Sequence, residues 1–426
     1  MVQSSPWNVE LARSHFPALL RQQDGGTVAF FDGPAGSQVP RSVANAVADY
    51  LLTTNANRGA AHATALESDE LLEAAHQIVA DLLGAAHPES ICFGANMTTM
   101  TLATSRALAK RWGPGDEIIV SRLDHDANVT PWVLAAADAG ATVHHISLSE
   151  DDWTLNLDDF YSKLSDKTKL VAVGYASNAT GTINPVHKII AAARSVNALT
   201  YIDAVHYAPH GRINVEELQC DFLACSAYKF FGPHVGIMYG RRELLEDVRP
   251  YKLRPSTDSL PGKWMTGTQN HEGIAGTAAA VEYLASLDTD EVSDHSGCNE
   301  STASKRTAKL DRVFSRITEY EKTLSAQFLD GILSISKLTV HGIKQPNRLD
   351  ERVPTFSMTC RNKSPQELAG ALARQGVFAW AGNHYALPFT EAAELEPSGT
   401  LRIGALHYNS VEEISRVVEC LRTLIE

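Results

Sequence analysis

The sequence predicts an α/β fold: a large domain on a mainly parallel sheet, followed by a smaller α+β C-terminal domain. Three observations carry this reading. Between Val28 and Pro250, short apolar runs rich in β-branched residues alternate with longer stretches of helical period, as in a parallel sheet covered on both faces. Polar residues recur where those runs end, at Asp32, Asn96, His125, Asn178, Asp203 and Lys229. Open α/β sheets bind ligands beyond the carboxyl ends of their strands, so these six residues point to one site. Beyond Lys337 the pattern changes to strands interleaved with amphipathic helices.

In chain order, "TVAFFDGPAGS" ends an extended run in a Gly/Pro turn, and "SDELLEAAHQIVADLLGA" has helical period and opens on a serine cap region. "SICFGAN", "DEIIVSRLDHD", "TVHHISL", "KLVAVGYASNATG", "LTYIDAVHYAP", "DFLACSAYKFFGP" and "VGIMYG" read as strands, with "HKIIAAARSVNA" as a helix between two of them. "RPSTDSLPGKWMTGTQNHEG" is a Gly/Pro-rich loop and "GIAGTAAAVEYLASL" a helix. The polar stretch "DTDEVSDHSGCNESTASKRTAKL" reads as an exposed loop leading into a long helix. "KLTVHGI" and "RVPTFSMTC" are strands, "SPQELAGALARQG" a helix, "VFAWAGNHYALPF" extended or looped, and "TLRIGALHYN" a strand with a turn. "SVEEISRVVECLRTLIE" is an amphipathic helix with a serine cap and glutamate at N3. The expected division is an N-terminal segment, 1–27, packing on the small domain, a large domain, 28–290, and a small domain, 291–426.

The chain has 426 residues, 44% apolar and 20% charged, with a formal net charge of -13. That balance argues against a nucleic-acid binder or a polybasic membrane binder, and no basic patch offsets it. The start "MVQSSPWNVELARSHFPALL" lacks the pattern of a signal peptide, and no apolar run is long enough to span a bilayer. Six cysteines without CxxC spacing do not make a disulfide scaffold. A reduced, soluble, cytoplasmic protein is expected.

Single motifs are weak. "FDGPAGSQ" lacks dinucleotide-site spacing, and "FGANMTTMTLA" lacks the lysine of a P-loop. The latter still runs from strand through small polar residues into a helix, whose N-terminus suits a phosphate. His125 in "LDHDAN" has no partner cluster of ligand spacing, so no metal is expected. It reads as a loop histidine between solvated aspartates or as a ring that stacks on a flat group. Lys229 alone reads as a surface lysine. Asp203 lies 229 − 203 = 26 residues before it, one strand-loop-strand unit away. A lysine, an acid and a phosphate-type loop in one sheet are the set that pyridoxal phosphate chemistry requires.

At these residues the chain resembles the class V aminotransferase and cysteine desulfurase family, fold-type I enzymes that use pyridoxal 5'-phosphate. The likeness runs from "FFDGPAGSQ" to "LRIGALHYN", with motifs in the family's order. It implies a seven-stranded, mainly parallel sheet. It places the Schiff-base lysine on Lys229, the pyridine-nitrogen partner on Asp203 and the ring-stacking histidine on His125. His206 and Asn178 fall where the family reaches the phenolic oxygen. Ser226, Tyr228 and Asn96, with Met97 beside it, fall at phosphate positions, although Tyr228 stands for a usual His and Asn96 for a usual Thr. Thr268 in "TGTQN" matches a residue that reaches the neighbouring subunit's phosphate, which implies a homodimer with shared sites. Arg402 matches the arginine for the substrate α-carboxylate.

The resemblance departs at one loop. Desulfurases carry a cysteine in a loop reading roughly Arg-x-Gly-His-His-Cys-Ala-x-Pro. Here Trp380 stands in place of the arginine, His384 is kept, and Tyr385 replaces the cysteine. A phenol cannot accept sulfur as a thiolate does. Cys92 and Cys225 look buried in strands, and Cys298 lies in the polar stretch. The implied function is therefore a pyridoxal-phosphate enzyme on an amino acid, forming a Cα carbanion. A desulfurase-like C–S lyase without a persulfide-forming cysteine is expected first, with Tyr385 or His384 as proton donor. Transamination, epimerisation and C–C or C–N bond formation are the alternatives. A cofactor-free scaffold is the reading from another class.

Overall fold

The computed structural model describes residues 7–289 and 302–426. Helix α1 (Val9–Ser14), strand β1 (Ala29–Phe30) and helix α2 (Ala63–Leu83) come first. Seven strands then form the large sheet: β2 (Ile91–Gly94), β3 (Glu117–Ser121), β4 (Thr142–Ile146), β5 (Thr168–Gly174), β6 (Leu199–Asp203), β7 (Phe222–Ser226) and β8 (Gly236–Gly240). Their order is β2-β8-β7-β6-β5-β3-β4. Strands β3 to β7 pair in parallel, and β8 runs antiparallel to β7 and β2. This is the expected fold class.

Successive side chains of a strand point to opposite faces. Ile119, Val171, Ile202, Leu223 and Ile237 enter one apolar cluster, and Ile118, Leu170, Tyr201, Phe222 and Met238 enter another on the opposite face. The first is shared with α5 (Val186–Ser195), and the second with α3 (Met97–Ala109) and α4 (Thr130–Ala139). Cover on both faces explains the near-continuous apolar runs and leaves polar residues only at strand ends.

Helices α6 (His271–Ser286) and α7 (Thr302–Leu333) lead to a four-stranded antiparallel sheet. Its strands are β9 (Leu338–His341), β10 (Thr355–Cys360), β12 (Trp380–Gly382) and β13 (Thr400–Gly404), in the order β9-β10-β13-β12. Phe356 and Ile403 of this sheet pack with Phe328 of α7, Leu368 of α8 (Pro365–Arg374) and Val417 of α9 (Val411–Ile425). Both α8 and α9 start on a capping box, Ser364–Glu367 and Ser410–Glu413, which satisfies two otherwise unpaired N–H groups at each end. The N-terminal segment reaches the turn after β13, where Trp7 Nε1 donates to His407 O at 2.9 Å and Arg13 Nη1 to Tyr408 O at 2.8 Å.

Two expectations change, and one falls outside the described residues. Asp32 does not end a strand of the large sheet. The strand before it, β1, pairs in parallel with β11 (Val377–Phe378), and Asp32 itself bridges to Gly404. Ala29 and Phe31 are buried in the small-sheet cluster, and that burial draws the segment there. Helix α2 begins before the expected serine: His62 is its N-cap, and Ser68 is buried inside it, bonded to Tyr50 Oη at 2.8 Å. Ala63 and Ala65 are strong helix formers and extend the helix past that serine. The expected boundary at 290/291, Cys298 and most of the polar stretch lie outside the described residues. Among the described residues no helix is long and apolar enough to cross a membrane.

Candidate active site

Lys229 closes a single turn, Ala227–Lys229, directly after β7. Phe230 and Phe231 behind it are fully buried, and Phe231 takes a left-handed φ of 71° that reverses the chain. A Cβ on Gly232 would lie 2.8 Å from Ala227 Cβ, so the reversal closes only over glycine. The lysine is thus seated on a rigid apolar turn and is 7% exposed. Its Nζ donates to the carbonyl of Pro34, in the turn that follows β1.

Around it lies a recess of about 560 Å³ whose lining includes Asn96, Met97, His125, Asn178, Asp203, His206, Ser226 and Tyr228. Asp203 ends β6 and accepts from Val205 N at 2.9 Å. Burial raises its carboxyl to about 7, with Asp124 adding and Lys229 opposing. Burial lowers the Lys229 ammonium to about 7, helped by Arg402 and opposed by Asp203. Burial thus displaces both groups toward their neutral forms. His206 Nε2 pairs with Thr355 Oγ1 at 3.0 Å, and burial holds this ring neutral. Burial, with Lys229 and Arg402, likewise lowers His125 to about 4.

On the next strand end, Asn96 caps α3, its Oδ1 accepting from Thr99 N at 2.9 Å. Met97 N donates to Ser226 Oγ at 3.0 Å, which ties this helix start to the end of β7. Tyr228 stacks on His234, 5.1 Å between centroids at 13°.

A second part of the cleft opens over the first and shares His125, Asn178, Tyr228 and Lys229 with it. Its other walls include Pro34, Trp380, His384, Tyr385 and Arg402. Arg402 is buried in β13, and no carboxylate of the described residues pairs with it. One N–H donates to Asn178 O at 2.9 Å. Burial lowers its guanidinium to about 9, against Asp32 and Tyr228. Asn178 Nδ2 donates to His384 O at 2.8 Å, and Asp126 N to Tyr385 O at 2.7 Å. These two bonds hold the 382–386 loop to the large-sheet strand ends, with His384 at φ 57° and Tyr385 at φ 56°. The Tyr385 ring lies 5.4 Å from that of His125 at 16°. His384 Nε2 is within 3.2 Å of Thr400 O, and burial keeps that imidazole neutral.

Thr268 is not in this cleft. It lines a separate surface recess with Arg58, Thr257 and Gln269. Asp32 stands near Arg402, and burial raises its carboxyl to about 6. Asp124, solvated only in the loop reading of His125, is 2% exposed. It accepts from Ser121 Oγ at 2.5 Å, Asn128 Nδ2 at 2.7 Å and Gly174 N at 2.9 Å. These bonds pin the loop that carries His125 to the end of β5. Arg352 was also missed. It is buried and donates to the carbonyls of Ile343, Thr180 and Thr355, so it clamps the Asn178 loop to the small sheet. The partners of both lie far away in sequence, and no local motif marks them. None of the described cysteines lines either part of the cleft: Cys92, Cys220 and Cys225 are buried elsewhere, and Cys360 and Cys420 are half-buried in the small domain. Among the described residues no group of His, Cys, Asp and Glu could hold a metal ion.

The profile of the class V aminotransferases matches residues 29–314 and 312–417. The chain belongs to that family. A probable cysteine desulfurase of Vibrio cholerae is 30% identical over 98% of this chain and 99% of its own. An aminotransferase-like protein of Gibberella zeae is 29% identical over 99% of this chain and all of its own. Among solved structures, the apo cysteine desulfurase from Thermococcus onnurineus NA1 superimposes with a TM-score of 0.85, at 26% identity over 99% of both chains. The family member is a pyridoxal-phosphate-dependent enzyme.

The residues present fit that cofactor. The recess offers a buried amine, a buried carboxyl one strand away and a helix N-terminus between two strand ends. Asn178 Oδ1 is buried without a hydrogen-bond partner at the junction of the two parts. An acceptor left unpaired in this way costs free energy unless a ligand satisfies it.

Proposed function

We propose that the enzyme is a C–S lyase: it releases the sulfur of a cysteine-type amino acid by β-elimination, without a persulfide-forming cysteine. One observation carries the reading. The loop over Lys229 presents Tyr385 beside His125, and none of the described cysteines lines the cleft. A desulfurase needs a thiolate there to take the sulfur.

In this reading Lys229 would hold the cofactor through its amine and Asp203 would pair with its ring nitrogen. His125 would cover one ring face, and His206 and Asn178 would meet its phenolic oxygen. The start of α3 at Asn96 and Met97, with Ser226 and Tyr228, would take the phosphate. Bound pyridoxal phosphate withdraws electrons from Cα of an attached amino acid and so weakens the bonds there. Arg402 receives the substrate carboxylate, because a planar guanidinium with spare N–H groups suits that bidentate contact. Lys229, with its ammonium brought down to about 7, takes the Cα proton as a neutral amine. His384 is held neutral against Thr400, so the proton for the departing sulfur is assigned to Tyr385.

The same proposal includes a homodimer in which Thr268 serves the partner's cofactor, and a cytoplasmic location, consistent with free cysteines among the described residues. The test is to give the holoenzyme cysteine and S-substituted cysteines, assay pyruvate, ammonia and thiol, and weigh the intact protein for added sulfur. Pyruvate and thiol in equal amounts without a sulfur adduct support the lyase. A sulfur adduct on the protein would return it to the desulfurases. The aminotransferase-like relative favours one second reading, transamination. It would show as a 2-oxo acid formed with no thiol released.

A further inference from the structure

We propose that the substrate is a cysteine whose sulfur carries a bulky, uncharged, apolar substituent, seated against the rings of Trp380 and Tyr385. This rests on the C–S lyase reading and names its substrate class. The first observation is register. Trp380 on β12 pairs directly with Arg402 on β13 across the antiparallel ladder, and directly opposed residues project from the same face of a sheet at close range. The carboxylate grip and an indole are therefore cross-strand neighbours, and an amino acid held by Arg402 extends its side chain beside Trp380.

The second observation is exposure. Trp380 is 54% and Tyr385 73% exposed, although both line the cleft. Each ring leaves apolar surface in water that an apolar substituent would cover. Tyr385 is held in place by its backbone bond to Asp126 and by its near-parallel contact with His125, so its ring face is presented ready-made.

The third observation is charge. The outer cleft is lined by one lasting cation, Arg402, by the Lys229 amine that serves as base, and by no carboxylate among the described residues. A cationic side chain would meet repulsion without a partner. An anionic one would find that cation, Arg402, already engaged with the α-carboxylate. The resemblance to desulfurases sets an arginine where Trp380 stands, and tryptophan there removes one further charge. A bare thiol would leave both rings wet.

The chemistry balances without an oxidant or reductant. One S-substituted cysteine and one water give one thiol, one pyruvate and one ammonium. The Cα–H and Cβ–S bonds break, and the electron pair from Cα–H becomes the Cα=Cβ bond. Sulfur leaves with the Cβ–S pair and takes a proton, and water then replaces the nitrogen.

The test has a binding arm and a turnover arm on the holoenzyme. α-Methyl-S-benzylcysteine and α-methylcysteine have no Cα proton to lose, so calorimetry reads binding alone. The benzyl analogue is expected to bind at least tenfold tighter, about 1.4 kcal/mol, and Trp380→Ala and Tyr385→Ala are each expected to shrink that ratio. S-Benzyl-L-cysteine is expected to yield pyruvate and benzyl thiol with kcat/KM about tenfold above cysteine. Equal binding of the two analogues, or a preference untouched by either substitution, overturns the proposal. A tenfold binding preference with no pyruvate from any thioether supports the apolar seat and overturns the lyase reading instead.

Discussion

Two buried groups, Lys229 and Asp203, set the proton inventory of the cleft, and each has a stability signature in the cofactor-free protein. Asp203 is raised from 3.8 to about 7, chiefly by burial. Between those values the native carboxyl keeps a proton that the unfolded chain has lost, so stability falls as pH rises from about 4 to 7. Asp203→Asn has no such charge to bury. Its melting temperature relative to the parent is expected to climb across that window, and a constant offset would refute the assignment. Lys229 is lowered from 10.5 to about 7, again mainly by burial. There the unfolded chain binds the extra proton, so stability rises between about pH 7 and 10.5, and Lys229→Met is expected to flatten that rise. Arg402 contributes to the depression, so in the cofactor-free Arg402→Met variant the rise in stability is expected to begin at higher pH.

At the scale of elements, the strand-end residues were legible because strands buried on both faces leave polar side chains nowhere else to go. His125, Asn178, Asp203 and Lys229 do converge on one recess. Asp32 lines neither part of the cleft and stops beside Arg402, because a two-residue strand carries no information about its partner and Ala29 and Phe31 pack into the small-sheet core. Asp124 was not legible, since one of its partners is an N–H fifty residues on, at Gly174. Arg352 was hidden for the same reason. Its guanidinium spans carbonyls of the 177–182 loop and the small sheet and lies 4.0 Å over the Phe356 ring. Removing it would strand several buried carbonyls at about 1–3 kcal/mol each. Arg352→Met is therefore expected to cost at least ~3 kcal/mol in urea unfolding. Because Asn178 of that loop accepts from Arg402, KM for the amino acid is expected to rise more than kcat falls. Unchanged unfolding midpoints would mean the clamp carries no weight.

At the scale of the molecule, one residue of the expected set, Thr268, stays outside the cleft and marks an incomplete surface. It lines a recess of about 1020 Å³ with Arg58 and His271. His271 bonds Tyr50 Oη at 2.9 Å, and beyond Tyr50 the chain exposes Leu51 at 47% and Leu52 at 82%. Adjacent leucines left in water beside a polar recess suit an interface more than a free surface. Under the homodimer proposal, each cofactor phosphate draws one contact from the other subunit. That arrangement makes a prediction that a monomer or an unshared dimer cannot imitate. Thr268→Ala is expected to weaken cofactor binding at both sites, and Lys229→Ala to abolish the lysine-linked absorbance at both. In a mixed dimer of the two variants, the site with Lys229 intact receives Thr268 from the Lys229→Ala subunit and is whole, while the other lacks both groups. Cofactor titration of the purified mixed dimer should therefore show one site of parental affinity with lysine-linked absorbance and one weak site without it. Were Thr268 to serve its own subunit, the lysine-bearing site would keep the weakened affinity of Thr268→Ala, and the shared-site arrangement would fall.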